Sequence, residues 1–118
     1  MPREARALPL DILRATELLE HGTRGFDLTR FRQEAWVQSA AERQLIIIGA
    51  AVRRIRELDP EIAARLSDSR SIVGFRNVLI HSYEQIDVEI VWQAIQTRVP
   101  RLRAEVEGLL SDASPPEA

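Results

Sequence analysis

Residues 37–58 of the chain read VQSAAERQLIIIGAAVRRIREL, and this stretch is the strongest indication of a helical fold. Its apolar side chains recur at steps of four and three, at Val37, Ala41, Leu45, Ile48, Val52 and Ile55. A repeat of this period places them on one face of an α-helix. The stretch therefore predicts a long amphipathic helix that ends near Leu58, where Asp59-Pro60 follows.

The sequence before this helix predicts one long helix and one short one. The long helix is indicated by apolar residues at helical spacing, namely Leu8, Ile12, Ala15 and Leu19. Pro9 is expected in its first turn, and His21-Gly22 at its C-terminal end. Asp27 then predicts the N-cap of a short turn or helix that reaches Gln33.

The sequence after the long helix predicts a short helix at residues 61–66 and two longer ones. Ile72, Phe75 and Leu79 mark the core side of a helix that we expect to end near Tyr83. Asp87 predicts the cap of a last helix, which continues to Leu109 and should be kinked by Pro100.

These segments together predict an all-α fold, an antiparallel bundle of four to five helices. The 118 residues suffice for one core, so we expect a single domain at residues 1–110 and a flexible tail at residues 111–118. The longest apolar run is residues 45–48, which excludes a membrane-spanning segment. With no cysteine and no apolar leader, a cytoplasmic location is expected.

The charge of the chain argues mildly against nucleic-acid binding by the surface as a whole. The formal net charge is −2, so phosphate backbones are not attracted globally. All 16 basic residues are arginines, however. Because arginine binds phosphate in a planar, bidentate way, a local anion site remains open, although codon bias explains the same count.

One polar group stands out, in residues 74–83, which read GFRNVLIHSY. It combines Arg76, Asn77, His81 and Tyr83, and the core-facing residues of the same helix lie on another side. At 100° per residue, Arg76 and His81 point about 140° apart. One straight helix cannot aim both at a single phosphate, whereas two copies facing each other across a two-fold axis can. We therefore expect a composite site at a homodimer interface.

Ordinary structural roles explain the same residues if spacing alone is considered. His81 near a helix C-terminus complements the macrodipole, Arg76 is then a surface side chain, and Tyr83 a half-buried aromatic. His21 lies beside the capping Gly22 and is expected to be structural. No metal site is predicted, since histidine and acidic residues lack ligand spacing and cysteine is absent.

The pattern of Arg76, four residues, His81, one residue and Tyr83 resembles that of the HepT-like toxins, which belong to the HEPN superfamily. The similarity covers most of the chain: LDIL at residues 10–13, ERQLIIIGAA at residues 42–51 and DVEIVW at residues 87–92. Gly74 and Asn77 strengthen the resemblance. One departure is Ala50, where many relatives have glutamate.

The resemblance implies a HEPN-like homodimer that cleaves RNA without a metal or cofactor, with tRNA and mRNA both candidate substrates. It implies that Arg76 and His81 are catalytic and that Asn77 supports them. It further implies the toxin of a type VII toxin–antitoxin system, whose antitoxin is a minimal nucleotidyltransferase (MntA-like). That antitoxin would transfer AMP onto Tyr83.

Two other functions remain open from the sequence. The first is a non-catalytic helical subunit of a nucleotidyltransferase complex that binds a nucleotide or a partner, which the acidic net charge favours. The second is a purely structural bundle, which leaves the grouping of Arg76, Asn77, His81 and Tyr83 unexplained.

Overall fold

The computed structural model describes residues 3–82 and 86–112, with side chains from residue 6 onward. All regular elements in these residues are helical, which confirms the predicted all-α fold. They are α1 (Arg3–Gly22), α2 (Leu28–Gln33), α3 (Ala35–Leu58), α4 (Pro60–Ala63), α5 (Ser69–His81), α6 (Val88–Gln93), a π-helical turn (Ala94–Arg98) and α7 (Val99–Asp112).

Helix α3 lies at the centre of the bundle and contacts α1, α5 and α6, while α1 also packs against α7. The predicted face of α3 is the one that enters the core, because five of its apolar residues are buried: Ala41, Leu45, Ile48, Val52 and Ile55. Val37 is half-buried and packs against them. The period of the apolar residues therefore identified the central helix correctly.

Aspartate side chains begin three of the helices. The backbone N–H of Arg30 donates to Oδ1 of Asp27 at 2.8 Å, and that of Glu89 donates to Oδ1 of Asp87 at 2.9 Å. Asp59 caps α4 in the same way, with Pro60 following it. These bonds satisfy N–H groups that have no partner within the helix, which is why the caps predicted from the sequence hold.

The predicted position of Pro9 was wrong. Helix α1 begins at Arg3, so Pro9 lies inside it rather than in its first turn, and its ring is buried. Proline in a helix interior removes one hydrogen bond, a cost that tertiary packing can offset. Burial of the Pro9 ring supplies such packing, and the helix therefore starts one turn earlier than the local pattern indicates.

Pro100 disturbs the last helix through a π-helical turn directly before it. In this turn the backbone N–H of Val99 donates to the carbonyl of Ala94, five residues back. The hydroxyl of Thr97 donates to the carbonyl of Gln93 at 2.7 Å. Because the proline ring collides with the carbonyl four residues earlier, a wider turn at this point lets the helix continue through to α7.

The ends of two predicted segments fall partly outside the described residues. Helix α5 ends at His81, and Ser82 is extended, so the helix stops two residues before the predicted end at Tyr83, which lies outside. Helix α7 ends at Asp112, and residues 113–118 of the predicted tail are likewise not described. None of the described helices is both long and apolar enough to cross a bilayer.

Candidate active site

Helix α5 carries the polar group and packs chiefly against α3. Leu79 on its inner side is buried, and Ile72 and Phe75 pack against the core, as predicted. The opposite side is open. Val78 is 59% exposed and Ile80 is 37% exposed, and these two apolar side chains flank the open side, about 160° apart around the helix.

Arg76 lies where α5 comes closest to α3. A Cβ atom built on Gly49 of α3 would lie 2.9 Å from both Cγ and Cδ of Arg76, and closer still to its Cβ. Only a residue without a side chain fits there, so Gly49 lets the stem of Arg76 lie flat on α3. Arg76 is half-buried in consequence, not a freely moving surface side chain.

The guanidinium of Arg76 retains an uncompensated positive charge among the described residues. Its Nη1 donates to Oδ1 of Asn77 at 3.2 Å, and its Nε is buried with no hydrogen-bond partner in that part of the chain. No carboxylate there forms an ion pair with it. Other arginines are paired with acidic side chains, among them Arg32, Arg65, Arg101 and Arg103. Arg76 is therefore equipped to bind an added anion.

Asn77 contacts Arg76, its neighbour in the chain. Its amide oxygen accepts from the guanidinium, and its side chain is exposed. An amide in this position limits the rotation of the guanidinium and leaves its other N–H groups free. Asn77 is thus placed to support Arg76.

His81 is the last residue of α5 and is exposed. It lies five positions after Arg76, which corresponds to an angle of about 140° around the helix. Arg76 packs against α3 while His81 faces solvent. Within one protomer the two side chains therefore point to different sides of the helix. Tyr83 of the predicted group lies outside the described residues.

Glu42 lies beside the candidate site and was not singled out from the sequence. It is half-buried on α3, and burial raises the pKa of its carboxyl above the ordinary value. It lines an open cavity of about 730 Å³ together with Leu79 and Ser82 at the end of α5. Glu42 lies seven residues before Gly49, close to two helical turns, and hence on the side of α3 that faces α5. That spacing was the available signal.

The order of these contacts shows that α3 and α5 run antiparallel. Gly49 meets Arg76, and the earlier Glu42 shares a cavity with the later Ser82. The cavity therefore lies at the C-terminal end of α5, where Ser82 directly follows His81. Within the described residues, no three His, Asp or Glu side chains lie close enough together to hold a metal ion.

Comparison with known proteins places the chain among ribonucleases. The ribonuclease HepT-like family matches residues 12–109. A protein of Methanocaldococcus jannaschii, named provisionally as an RNase, is 33% identical over 109 residues, which are 89% of this chain and 95% of that protein. A protein of Thermococcus cleftensis, named provisionally as ribonuclease HepT, is 34% identical over 103 residues, 84% of this chain and 89% of that protein. No solved structure matches with significance.

Proposed function

The chain belongs to the HepT-like ribonuclease family, and we propose that it is a metal-independent endoribonuclease with Arg76 and His81 as its catalytic residues. One observation carries the proposal. The half-buried guanidinium of Arg76 has no neutralising carboxylate among the described residues, and it shares a helix with the exposed His81. A fixed cation and a histidine are the two groups that RNA cleavage without a metal requires.

The chemistry uses the nucleophile that RNA itself provides. The 2′-hydroxyl oxygen attacks the neighbouring phosphorus, and the bond from phosphorus to the 5′-oxygen breaks. A 2′,3′-cyclic phosphate and a 5′-hydroxyl result. His81 takes the proton of the 2′-hydroxyl on an imidazole nitrogen, and the proton is then returned to the departing 5′-oxygen. Arg76 binds two phosphate oxygens and stabilises the negative charge that develops on them.

We propose that the site is completed by a second copy of the chain. Arg76 and His81 of one protomer point to different sides, so a two-fold axis beside α5 would bring Arg76 of one copy towards His81 of the other. The exposed Ile80 supports this, because it lies between Arg76 and His81 around the helix and an apolar side chain there gains from being covered. Asn77 would hold the guanidinium in place.

We further propose that the chain is a toxin that acts on cytoplasmic RNA and is silenced by modification. A partner nucleotidyltransferase would transfer AMP from ATP onto Tyr83. The phenolic oxygen attacks the α-phosphorus, pyrophosphate leaves, and the phenolic proton is released. The new phosphodiester brings a negative charge two residues from His81. It would compete with RNA for the Arg76 cation and block the site.

The experiment uses purified chain confirmed by intact mass to carry no AMP. It is incubated with total RNA and with tRNA in excess EDTA, beside His81→Ala and Arg76→Ala. The matched controls are His21→Ala, which removes the other histidine, and Arg24→Ala, which removes an exposed arginine after α1. We expect cleavage by wild type and both controls, and loss of about 100-fold or more in the two site variants.

Two results would contradict the proposal. Equal cleavage by all five proteins would point to a contaminating nuclease. An unmodified wild type that dimerises but does not cut RNA would favour a non-catalytic subunit that binds a nucleotide or a partner.

A further inference from the structure

The cavity beside Glu42 has no role in the phosphate chemistry. Its volume of about 730 Å³ lies within the range of about 300–1,000 Å³ found for sites that bind small organic molecules. Its walls include the apolar side chains of Leu79, Val88 and Val91. Because Ser82 lines the cavity and directly follows His81, the cavity lies at the end of α5 that carries the proposed proton-transfer group.

Three polar side chains around the cavity, those of Gln38, Arg32 and Asp87, already have partners within the chain, whereas Glu42 differs from them. Nε2 of Gln38 donates to the backbone carbonyls of Phe31 and Arg32. Arg32 itself pairs with Glu89 at 3.3 Å, and Asp87 caps α6. In the described part of the chain, the carboxyl of Glu42 has neither a hydrogen-bond donor nor a cation. It is therefore the group in the cavity that is free to select a ligand.

The charge balance of the cavity excludes a phosphate as its ligand. A carboxylate repels an anion, and the nearby cation, Arg32, is already neutralised by Glu89. What fits is a flat, neutral group with N–H donors on one edge. A nucleobase has this character, and its faces would contact the apolar walls.

We infer that this cavity binds a guanine base of the RNA substrate next to the cleaved phosphate, with Glu42 as the residue that determines specificity. The inference rests on the proposed ribonuclease function. Guanine is the RNA base that offers two adjacent donors, N1–H and N2–H₂, on its Watson–Crick edge, and the two oxygens of one carboxylate accept both. Adenine, cytosine and uracil each place an acceptor where guanine has one of these donors.

Binding of free nucleotides tests the inference without any cleavage. The probes are GMP, AMP, CMP and UMP, titrated into ¹⁵N-labelled wild type, Glu42→Gln and the control Glu61→Gln, in which an exposed carboxylate of α4 is changed. We expect wild type and the control to bind GMP about 10-fold or more tightly than the other three, with shifts at Leu79 and Val88. Glu42→Gln should lose about 10- to 100-fold in GMP affinity.

The glutamine variant has a second expected effect. Its carbonyl oxygen accepts and its amide donates, which matches the N6 donor and N1 acceptor of adenine. Its preference should therefore shift from GMP towards AMP. Circular dichroism establishes that the variant is folded, and a folded variant that keeps the GMP preference of wild type would overturn the inference.

Cleavage of an RNA pool of random sequence then separates this inference from the proposed function. Sequencing of the product ends should show guanine at one fixed position beside the cut for wild type, and no such enrichment for Glu42→Gln. His81-dependent cleavage without any base preference would overturn the inference and leave the ribonuclease intact. GMP binding that depends on Glu42, in a chain that cuts no RNA, would support the base site and refute the ribonuclease.

Discussion

Gly49→Ala is the substitution for which the structure predicts the sharpest result. A methyl group at residue 49 would lie 2.9 Å from Cγ and Cδ of Arg76, and closer to its Cβ. Non-bonded carbon atoms prefer separations of about 3.5–4.0 Å. The nearest atom is joined directly to the backbone of α5, so a side-chain rotation cannot relieve the overlap. Helix α5 would have to move away from α3 by about 1 Å.

Two opposing effects determine how Gly49→Ala changes the free energy of unfolding, and their sum is a decrease. Overpacking of this kind costs about 1–3 kcal/mol, and a contact at the backbone belongs at the upper end. Replacing glycine by alanine inside a helix returns about 1 kcal/mol. We therefore expect a net loss of about 2 kcal/mol. Because Arg76 moves with α5, RNA cleavage should fall by up to about 100-fold, as is usual for a catalytic group misplaced by 1 Å.

Gly108→Ala is the matched control. Gly108 lies inside α7, and nothing is within 4 Å of a Cβ placed on it. Its substitution should raise the free energy of unfolding by about 1 kcal/mol and leave cleavage unchanged. Urea denaturation at one fixed protein concentration measures both variants, since association would otherwise shift the apparent stability.

The free energy of unfolding should thus fall for Gly49→Ala and rise for Gly108→Ala. If Gly49→Ala were as stable as Gly108→Ala and fully active, α5 would not lie against Gly49, and the half-buried position of Arg76 would be mistaken. If Gly49→Ala were stable but less active, the contact between α3 and α5 would stand. Helix α5 would then adapt to the added methyl group with little loss of stability.

Four further predictions concern single residues. Asp27→Ala removes the cap of α2 and should lower the free energy of unfolding by about 1 kcal/mol in urea titrations, whereas Asp27→Asn should keep most of it. Ile80→Glu places a charge on α5 between Arg76 and His81 and should abolish the proposed dimer in light scattering; a dimer that persists would locate the interface elsewhere. Burial raises the pKa of Glu42 above 4.5 in the folded chain, so the protonated carboxyl favours folding at low pH and this contribution is lost as pH rises through the folded value. Glu42→Gln should accordingly gain stability over wild type at neutral pH and lose that advantage in acid, as measured by thermal melts across pH. Tyr83→Phe should cut RNA normally and gain no AMP from the nucleotidyltransferase by intact mass; full silencing of this variant would favour inhibition by binding alone.

Local sequence was enough to predict the helices and the element that carries the site. The apolar repeat from Val37 to Ile55 identified the central helix, and Asp27 and Asp87 identified two helix starts. The helix caps depend on backbone hydrogen bonds, and the central helix depends on the repeat of its apolar residues. Both are properties of residues that are close in the sequence.

Features that depend on how two helices meet were not predictable in the same way. The fit of Arg76 onto Gly49, and the half-buried Glu42, both require the alignment of α3 against α5. The buried position of Pro9 likewise depends on tertiary packing, which here outweighs a local preference for the first turn. The general position of the disturbance at Pro100 was predictable, but its form as a π-helical turn was not.

Cleavage of RNA at a site shared by two protomers can be tested with a mixed dimer. Arg76→Ala and His81→Ala chains, each with its own affinity tag, are co-expressed, and dimers that contain one of each are purified over both tags. Such a dimer has one site with both residues intact and one with neither. We expect no cleavage by either variant alone and about half the wild-type rate for the mixed dimer in EDTA. A stable mixed dimer that cuts no RNA would contradict the shared site.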